Sequence, residues 1–189
     1  MKRKILGGTM NILFIVGSTR KASYNQIIAN YLMDKHKDEY NIRQTDISEI
    51  PMFSEDIENQ DWPMVDKARE DVEWADGVVI VTPENNYSVP AVLKNYLDWC
   101  SRKKRVYMNK PVMITGGSMG HWGTIRAQGH LRQILRSNGI KSVVVPGIEV
   151  YFPKVQDSIV DGKLLEEKAG SLNKNFDIFI EYLKKSNCD

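Results

Sequence analysis

Residues 17–25 read GSTRKASYN and follow the short apolar run 11–16. The segment places three Ser and Thr hydroxyl groups and the guanidinium of Arg20 at the predicted start of a helix. Free backbone N–H groups at a helix start favour an anion, and a guanidinium adds charge-assisted hydrogen bonds. Ser23 or Asn25 would suffice if the segment only capped the helix. Because a cap does not need Arg20, a phosphate ligand explains the whole segment better.

Two common nucleotide-binding motifs do not describe this segment. It lacks the Gly-Lys-Ser/Thr ending of a Walker A loop, and it is not Gly-x-Gly-x-x-Gly. The sequence therefore predicts a phosphate loop of another type.

A second polar segment, residues 82–90, reads TPENNYSVP and follows the apolar run 77–82. Its two prolines stiffen a stretch that is dense in hydrogen-bonding groups, so it could hold a flat heteroaromatic ring by its edge. The alternative is a simple turn between a strand and a helix, with Ser88 as the helix cap.

A third segment, residues 116–123, reads GGSMGHWG and has four glycines in eight residues. Its backbone can approach a ligand closely, although ordinary flexibility is the alternative explanation. His121 has no evident Asp or Ser partner, so the sequence favours a surface or binding role for it over general-base catalysis.

Short runs rich in Val and Ile alternate with helical patterns along the chain, which is typical of βαβ units around a parallel sheet. We predict one α/β domain over residues 10–189, preceded by an extension at 1–9. Within the helix that begins at Pro63, one face is predicted to carry Met64, Ala68, Val72 and Ala75. The predicted strands are 11–16, 42–46, 77–82, 111–115 and 142–145, and the predicted helices are 25–36, 63–75, 90–102, 124–137 and 166–185.

The three polar segments each follow a predicted strand. Ligands of open parallel sheets bind outside the carboxyl ends of the strands. We therefore expect the three segments to meet at one edge of the sheet and to form a single site.

Composition excludes several classes of function. The 189 residues include 26 Lys and Arg and 24 Asp and Glu, so no basic field favours nucleic acid. No apolar run approaches the roughly 18 residues of a membrane span, so no membrane insertion is expected. The basic run 102–105 could meet a dinucleotide phosphate, but a solvated helix end is the preferred interpretation.

Only two cysteines, Cys100 and Cys188, are present. A disulfide framework or a cysteine metal site is therefore not expected, and a reducing cytoplasm fits the chain best.

Taken together and in this order, the three segments resemble the NADPH-dependent FMN reductase family of the flavodoxin-like superfamily, which includes quinone, chromate and azo-dye reductases. The resemblance covers residues 10–150 and is carried also by LKN at 93–95, DWCSR at 98–102, RAQ at 126–128 and HLRQ at 130–133. It implies a flavodoxin-like three-layer sandwich with a five-stranded parallel sheet.

The resemblance also implies roles for individual residues. The FMN phosphate would be held by Ser18, Arg20, Ser23 and Asn25, with Gln26 nearby. The isoalloxazine ring would be bordered by Pro83, Glu84, Asn85, Asn86 and Tyr87, and on its other side by Gly117 and Ser118.

No catalytic side chain is implied, because hydride would pass from NADPH or NADH to FMN and the electrons on to a small-molecule acceptor. Such acceptors include a quinone, an azo compound, a flavin or a metal oxyanion. A domain of this size leaves the flavin face open, so a homodimer or homotetramer is expected.

This sequence departs from the family at three positions. Asn85 replaces a usual aromatic residue, Ala91 replaces a common glycine, and Gly129 stands where a tyrosine often makes subunit contacts. The first change bears on the range of substrates, and the last bears on the tetrameric assembly.

Two other functions remain open at this point. A flavodoxin-like electron carrier would share the fold and cofactor, but flavodoxins are typically acidic and lack arginine in the phosphate loop. A flavin-free scaffold or regulatory relative would keep the segments only as turns.

Overall fold

A computed structural model describes residues 9–186 of the protein. The predicted extension lies outside the described residues except for Thr9, and so does Cys188.

A parallel sheet forms the centre of the molecule, and its strands, numbered along the chain, lie in the order 2-1-3-4-5, the order of flavodoxin-like folds. All its pairings are parallel. The α/β prediction with five parallel strand positions is therefore confirmed. The strands are β1 (Asn11–Val16), β2 (Asn41–Thr45), β3 (Gly77–Val81), β4 (Pro111–Gly117), β5 (Val143–Val144) and β6 (Val150–Phe152).

The fifth position of the sheet holds two short strands instead of the one predicted at 142–145. β5 pairs with the start of β4, and β6 pairs with its end. Between them lie Pro146, which has no N–H to donate, and Gly147, whose φ is +77°. These two residues interrupt the edge strand.

The side chains of β1 alternate between the two faces of the sheet. Ile12, Phe14 and Val16 belong to one hydrophobic cluster, whereas Leu13 and Ile15 belong to the other. Burial on both faces is typical of a central strand in a parallel sheet. This burial explains why the runs that form β1 and β3 could be recognised from sequence.

Five helices cover the two faces of the sheet. The first cluster is closed by the first and fifth helices along the chain, and the second by the second, third and fourth. These helices are α1 (Tyr24–His36), α2 (Pro63–Trp74), α3 (Ala91–Cys100), α4 (Ile125–Arg136) and α5 (Gly170–Ser186). No helix within residues 9–186 is long and apolar enough to cross a membrane.

One predicted helix face needs correction. Met64 is 39% exposed, whereas Val65 is buried and packs in the core with Ala68 and Val72. Pro63 does begin α2, as predicted. The buried stripe thus runs 65, 68 and 72, which keeps a spacing of three to four residues.

The region before the last helix also differs from the prediction. α5 begins at Gly170, and Glu166–Lys168 form a separate 3-10 turn. An unpredicted antiparallel hairpin precedes it, made of β7 (Ile159–Val160) and β8 (Lys163–Leu164). Its turn residues, Asp161 and Gly162, both have positive φ, and Asp-Gly is a recognised hairpin signal.

Gly116 allows the ends of β3 and β4 to approach closely. A Cβ at this position would lie 1.9 Å from the backbone oxygen of Thr82. Because that oxygen belongs to the main chain, no side-chain movement relieves the contact. The close approach brings the loop after β3 beside the loop after β4.

We expect Gly116→Ala to lower the free energy of unfolding by about 1–3 kcal/mol, because its methyl group overpacks against the main chain. Gly129 in α4 is the matched control, since a Cβ there has no heavy atom within 4 Å. Gly129→Ala should raise the free energy of unfolding by about 0.5–1 kcal/mol. Urea unfolding followed by far-UV circular dichroism measures both. Similar effects of the two substitutions would contradict the close approach.

Candidate functional site

The three polar segments meet at the carboxyl ends of β1, β3 and β4, as expected from the sequence. Together they line a cleft of about 540 Å³. Nine of the predicted site residues line it: Ser18, Arg20, Ser23, Asn25, Pro83, Glu84, Asn85, Gly117 and Ser118. Gln26, Asn86 and Tyr87 are not among the lining residues.

The first segment forms one end of the cleft at the start of α1. Ser23 precedes the helix, but its side chain makes no capping hydrogen bond, and the first turn contains no acidic residue. The backbone N–H groups of the first turn are therefore not used by a side-chain cap. Arg20 is exposed beside them, with its guanidinium 5.7 Å from the centre of the Tyr24 ring. This end of the cleft is suited to an anion.

Asn25 joins the first segment to the third. Its Nδ2 donates to the carbonyl of Gly117 at 3.0 Å, and its Oδ1 accepts from the Gly117 N–H at 2.9 Å. The side chain is buried, with only 3% exposed. Asn25 thus lines the cleft while its amide is engaged by the main chain of β4.

Gln26 lies outside the cleft wall. Its amide exchanges hydrogen bonds with Gln44 of the edge strand β2, at 2.7 and 3.0 Å, and contacts Asn30. The side chain therefore follows the outer surface of α1, although its neighbour Asn25 points inward.

The second segment contains a tight turn from Asn85 to Ser88. Each of these two residues donates its N–H to the carbonyl of the other, at 3.1 and 2.9 Å. The two residues between them, Asn86 and Tyr87, have φ of 47° and 65°, as in a type I′ turn. The turn carries Tyr87 away from the cleft, where 66% of it is exposed and the Arg126 guanidinium lies 4.3 Å from its ring centre.

Ser88 does not cap the next helix, which was the alternative explanation for this segment. The residue preceding α3 is Pro90, and no side chain caps that helix. Instead, the Ser88 hydroxyl lies 3.0 Å from Nδ1 of His130 in α4. The turn is therefore held against α4.

Glu84 is the cap of α4. Its Oε2 accepts the backbone N–H groups of Arg126 at 2.9 Å and of Ala127 at 3.0 Å. Oε1 lies 3.8 Å from the Arg126 guanidinium, and only 9% of the carboxylate side chain is exposed. A negative charge at this position complements the positive end of the helix dipole.

The glycine-rich third segment is held by β6 and is not a free loop. The Ser118 N–H donates to the carbonyl of Phe152 at 3.1 Å, and its hydroxyl donates to the carbonyl of Gly123 at 2.5 Å. A Cβ on Gly117 would lie 2.8 Å from Cγ2 of Val155, so a larger residue does not fit there without a shift. This part of the cleft wall is main chain in a fixed position.

Some residues that line the cleft were not recognised from sequence. They include Tyr24 and Val92, which lie in the first turns of α1 and α3. Helices that follow strands at this edge begin at the binding site. The position of each first turn was therefore a usable signal.

The other reactive groups of the described residues do not form a second catalytic site here. His121 is exposed and has no hydrogen-bond partner among residues 9–186. Cys100 is buried in α3, and burial raises the pKa of its thiol to about 12, so it is not a nucleophile.

The basic run 102–105 lies in the connection that leads to the start of β4, at the opposite end of the sheet from the cleft. Nε of Arg102 donates to Glu58 at 2.6 Å, and this hydrogen bond lowers the pKa of the Glu58 carboxyl. Arg102 of this run therefore forms an ion pair with Glu58, and the run does not reach the cleft.

Comparison with known proteins identifies the family. The model of the NADPH-dependent FMN reductase family matches residues 10–157. An NAD(P)H-dependent FMN reductase of Pseudomonas aeruginosa is 37% identical over 86% of this chain and 89% of its own. A quinone reductase of Escherichia coli is 41% identical over 67% of this chain and 69% of its own.

A solved structure supports the same assignment. The flavoenzyme NAD(P)H:(acceptor) oxidoreductase FerB from Paracoccus denitrificans superimposes with a TM-score of 0.82 at 26% identity, over 94% of this chain and 98% of that one. The architecture, the three segments around the cleft and the match over most of the sequence agree. The chain belongs to the NADPH-dependent FMN reductase family.

Proposed function

We propose that this protein is an FMN-dependent NAD(P)H oxidoreductase that reduces a small-molecule acceptor in the cleft between its three loops. One observation carries the proposal: the cleft has two different ends. At the first end, α1 begins without a side-chain cap beside Arg20, and at the second end the walls are main chain. The first end suits a phosphate and the second suits the edge of a flat ring.

The FMN phosphate would lie at the start of α1. Arg20 supplies a cation there, Ser18 and Ser23 supply hydroxyls, and the first-turn N–H groups supply donors. Asn25 contributes through its hold on Gly117, because both hydrogen-bonding ends of its amide are engaged there. In this proposal Asn25 sets the distance between the phosphate end and the ring end.

The ring would lie between the backbone of residues 83–85 on one side and residues 117–118 on the other. Glu84 would act through its backbone, since its carboxylate caps α4. Asn86 and Tyr87 belong to the rim, because the type I′ turn directs them away from the cleft.

Bound FMN supplies the redox chemistry, since it accepts a hydride from NAD(P)H and delivers electrons to an oxidised substrate. The protein holds the cofactor by its phosphate and by main-chain groups that do not titrate. No side chain is assigned as an acid or a base. Because one cleft serves both reactions, donor and acceptor must occupy it in turn.

The acceptor class follows from the side chains that line the cleft. Met119, which is 60% exposed, and Tyr24 both line it, and their sulfur and aromatic groups suit a flat acceptor such as a quinone or a free flavin. The relatives from Escherichia coli and Pseudomonas aeruginosa act on acceptors of this kind by their names.

The function is tested by mixing FMN-loaded protein anaerobically with NADPH or NADH and following the loss of flavin absorbance. We expect at least one nucleotide to bleach the flavin and an added quinone to restore the absorbance. Steady-state rates at varied donor and acceptor should give parallel double-reciprocal lines, as in a ping-pong scheme. If neither nucleotide bleaches the flavin, the protein is an electron carrier and the proposal is wrong.

Arg20→Ala should weaken FMN binding by about 1.5–3 kcal/mol, because a charge-assisted phosphate contact is lost. Lys21→Ala is the matched control, since it removes the same charge from the next exposed residue, which does not line the cleft. Fluorescence titration of apoprotein with FMN measures both affinities. An Arg20→Ala variant that binds FMN as tightly as Lys21→Ala would refute the phosphate assignment.

We also propose that the protein is a homodimer whose second subunit completes the wall of the cleft. Four large apolar side chains on the second and third segments and the start of α4 are exposed: Tyr87 at 66%, Met119 at 60%, Trp122 at 67% and Ile125 at 43%. Aromatic residues and methionine are enriched in subunit interfaces. Met119 also lines the cleft, so a partner on this surface would complete its wall.

Trp122→Ser should weaken dimerisation by about 2 kcal/mol or more, as truncation of a central aromatic contact does. Met108→Ser is the control, because Met108 is 42% exposed in the connection between α3 and β4, at the opposite end of the sheet. Analytical ultracentrifugation across a concentration series measures both. A monomeric wild-type protein, or equal weakening by both substitutions, would contradict this interface.

A further inference from the structure

A second cavity lies at the edge of the sheet, where β5 and β6 are separated. Its volume is about 690 Å³, and it shares no lining residue with the cofactor cleft. Gly147 in the strand break faces open space, since a Cβ there would have no heavy atom within 4 Å. The walls come from α4, α5 and the segment 144–149. We call this cavity the edge groove.

The edge groove contains an excess of positive charge. Arg132 and Arg136 line it from α4 and Lys174 from α5, with Glu149 as the single acidic lining residue. Among residues 9–186, no ion pair within 4 Å involves any of these four side chains. Three positive charges and one negative charge leave a formal +2 in one groove.

Four of the eight arginines among residues 9–186 have a carboxylate partner, and all four lie outside the edge groove. Arg43, Arg69, Arg102 and Arg126 each lie within 4 Å of an Asp or Glu oxygen. Unpaired like charges that share a cavity repel one another, and this cost is offset when an anion binds between them. The edge groove differs from the rest of the described surface in that three cations without an ion pair line one cavity.

The donors of the groove come from opposite walls and are partly fixed. Arg132 and Arg136 are four residues apart and so lie on the same face of α4. One guanidinium nitrogen of Arg132 donates to the carbonyl of Ile148 at 3.1 Å, which orients the group and leaves its other N–H groups available. Across the groove, buried Asn175 donates to the carbonyl of Ser171 at 2.8 Å, next to Lys174.

The groove also has an apolar part and room for more than a single ion. Val144, Pro146, Ile148 and Ile178 contribute to its lining. A volume of about 690 Å³ far exceeds the share of one water molecule, which is about 30 Å³. An organic body can therefore pack on the apolar wall while its charged group meets the arginines.

We propose that the edge groove binds a phosphate monoester with an apolar body. A phosphate monoester carries a charge of about −1.5 to −2 at pH 7, which matches the formal +2 of the groove. Two of its oxygens can accept the two parallel N–H donors of a guanidinium. The site is independent of the cofactor cleft and does not depend on the redox function.

The test uses FMN-loaded protein, so that the phosphate site of the cleft is filled, and phenyl phosphate as the probe. Two-dimensional NMR of 15N-labelled protein at constant ionic strength should show saturable shifts at the amides of Gly147, Ile148 and Ser171. Inorganic phosphate and phenol are run in parallel, and both should bind more weakly. Absence of saturable shifts at these amides would overturn the proposal.

The variant Arg136→Gln/Lys174→Gln should weaken phenyl phosphate binding by about tenfold or more, because two charged donors are lost. Arg132 is left intact, since it also supports Ile148. The matched control is Lys184→Gln/Lys185→Gln, which removes two exposed charges from the end of α5 outside the groove. Equal losses in both double variants would show general electrostatic attraction and would overturn the site.

The parallel ligands separate the two parts of the proposal. Binding of inorganic phosphate as tight as that of phenyl phosphate would overturn the role of the apolar wall. Binding of phenol as tight as that of phenyl phosphate would overturn the role of the cations. In either case the redox activity of the cleft is unaffected, so the failure of this proposal is distinct from a failure of the proposed function.

Discussion

The two hydrogen bonds between the Asn25 side chain and the Gly117 main chain determine the shape of the cleft. They join the first turn of α1 to the end of β4, which are 92 residues apart in the sequence. Both partners are buried, and a buried amide left without partners costs about 1–3 kcal/mol. The two ends of the cleft are therefore held at one separation, which suits the proposed binding of FMN by its phosphate and its ring.

The helices α1, α3 and α4 begin at the same edge of the sheet as the cleft, and their N-termini differ. α4 is capped by Glu84, so the positive end of its dipole is already matched by a carboxylate. α1 has no side-chain cap and no acidic residue in its first turn. α3 has no side-chain cap either, but the segment 82–90 before it contains no Lys or Arg, whereas Arg20 lies beside the start of α1. The start of α1 is thus the most favourable of the three for an anionic ligand. Glu84 neutralises the start of α4 and anchors the second loop.

The sequence was sufficient for the central strands and for the position of the three loops, because both depend on local patterns. β1 and β3 are apolar on both faces, and each polar loop follows such a run. The direction of individual side chains was not accessible in the same way. Glu84 and Gln26 find their partners 42 and 18 residues away, and positive φ at Asn86 and Tyr87 turns both residues out of the cleft.

The split of the edge strand was missed for a related reason. Pro146 and Gly147 are visible in the sequence, but their effect depends on how the flanking residues pair with β4. The Asp161-Gly162 hairpin had a local signal that the helical interpretation of residues 166–185 did not use. Local turn chemistry at these places carried more information than the hydrophobic pattern around them.

The distribution of ion pairs gives a physical way to separate structural cations from binding cations in this fold. Eight arginines lie in the described part of the chain, and the four with a carboxylate partner include Arg69, which supports α3 through the carbonyl of Trp99. Arg20, Arg105, Arg132 and Arg136 have no such partner among the described residues. Arg20 lines the cofactor cleft, Arg132 and Arg136 line the edge groove, and Arg105 lines neither. A bound anion would stabilise an arginine that lines a cavity without a carboxylate partner, so the two proposed sites rest on the same electrostatic argument although their proposed ligands differ.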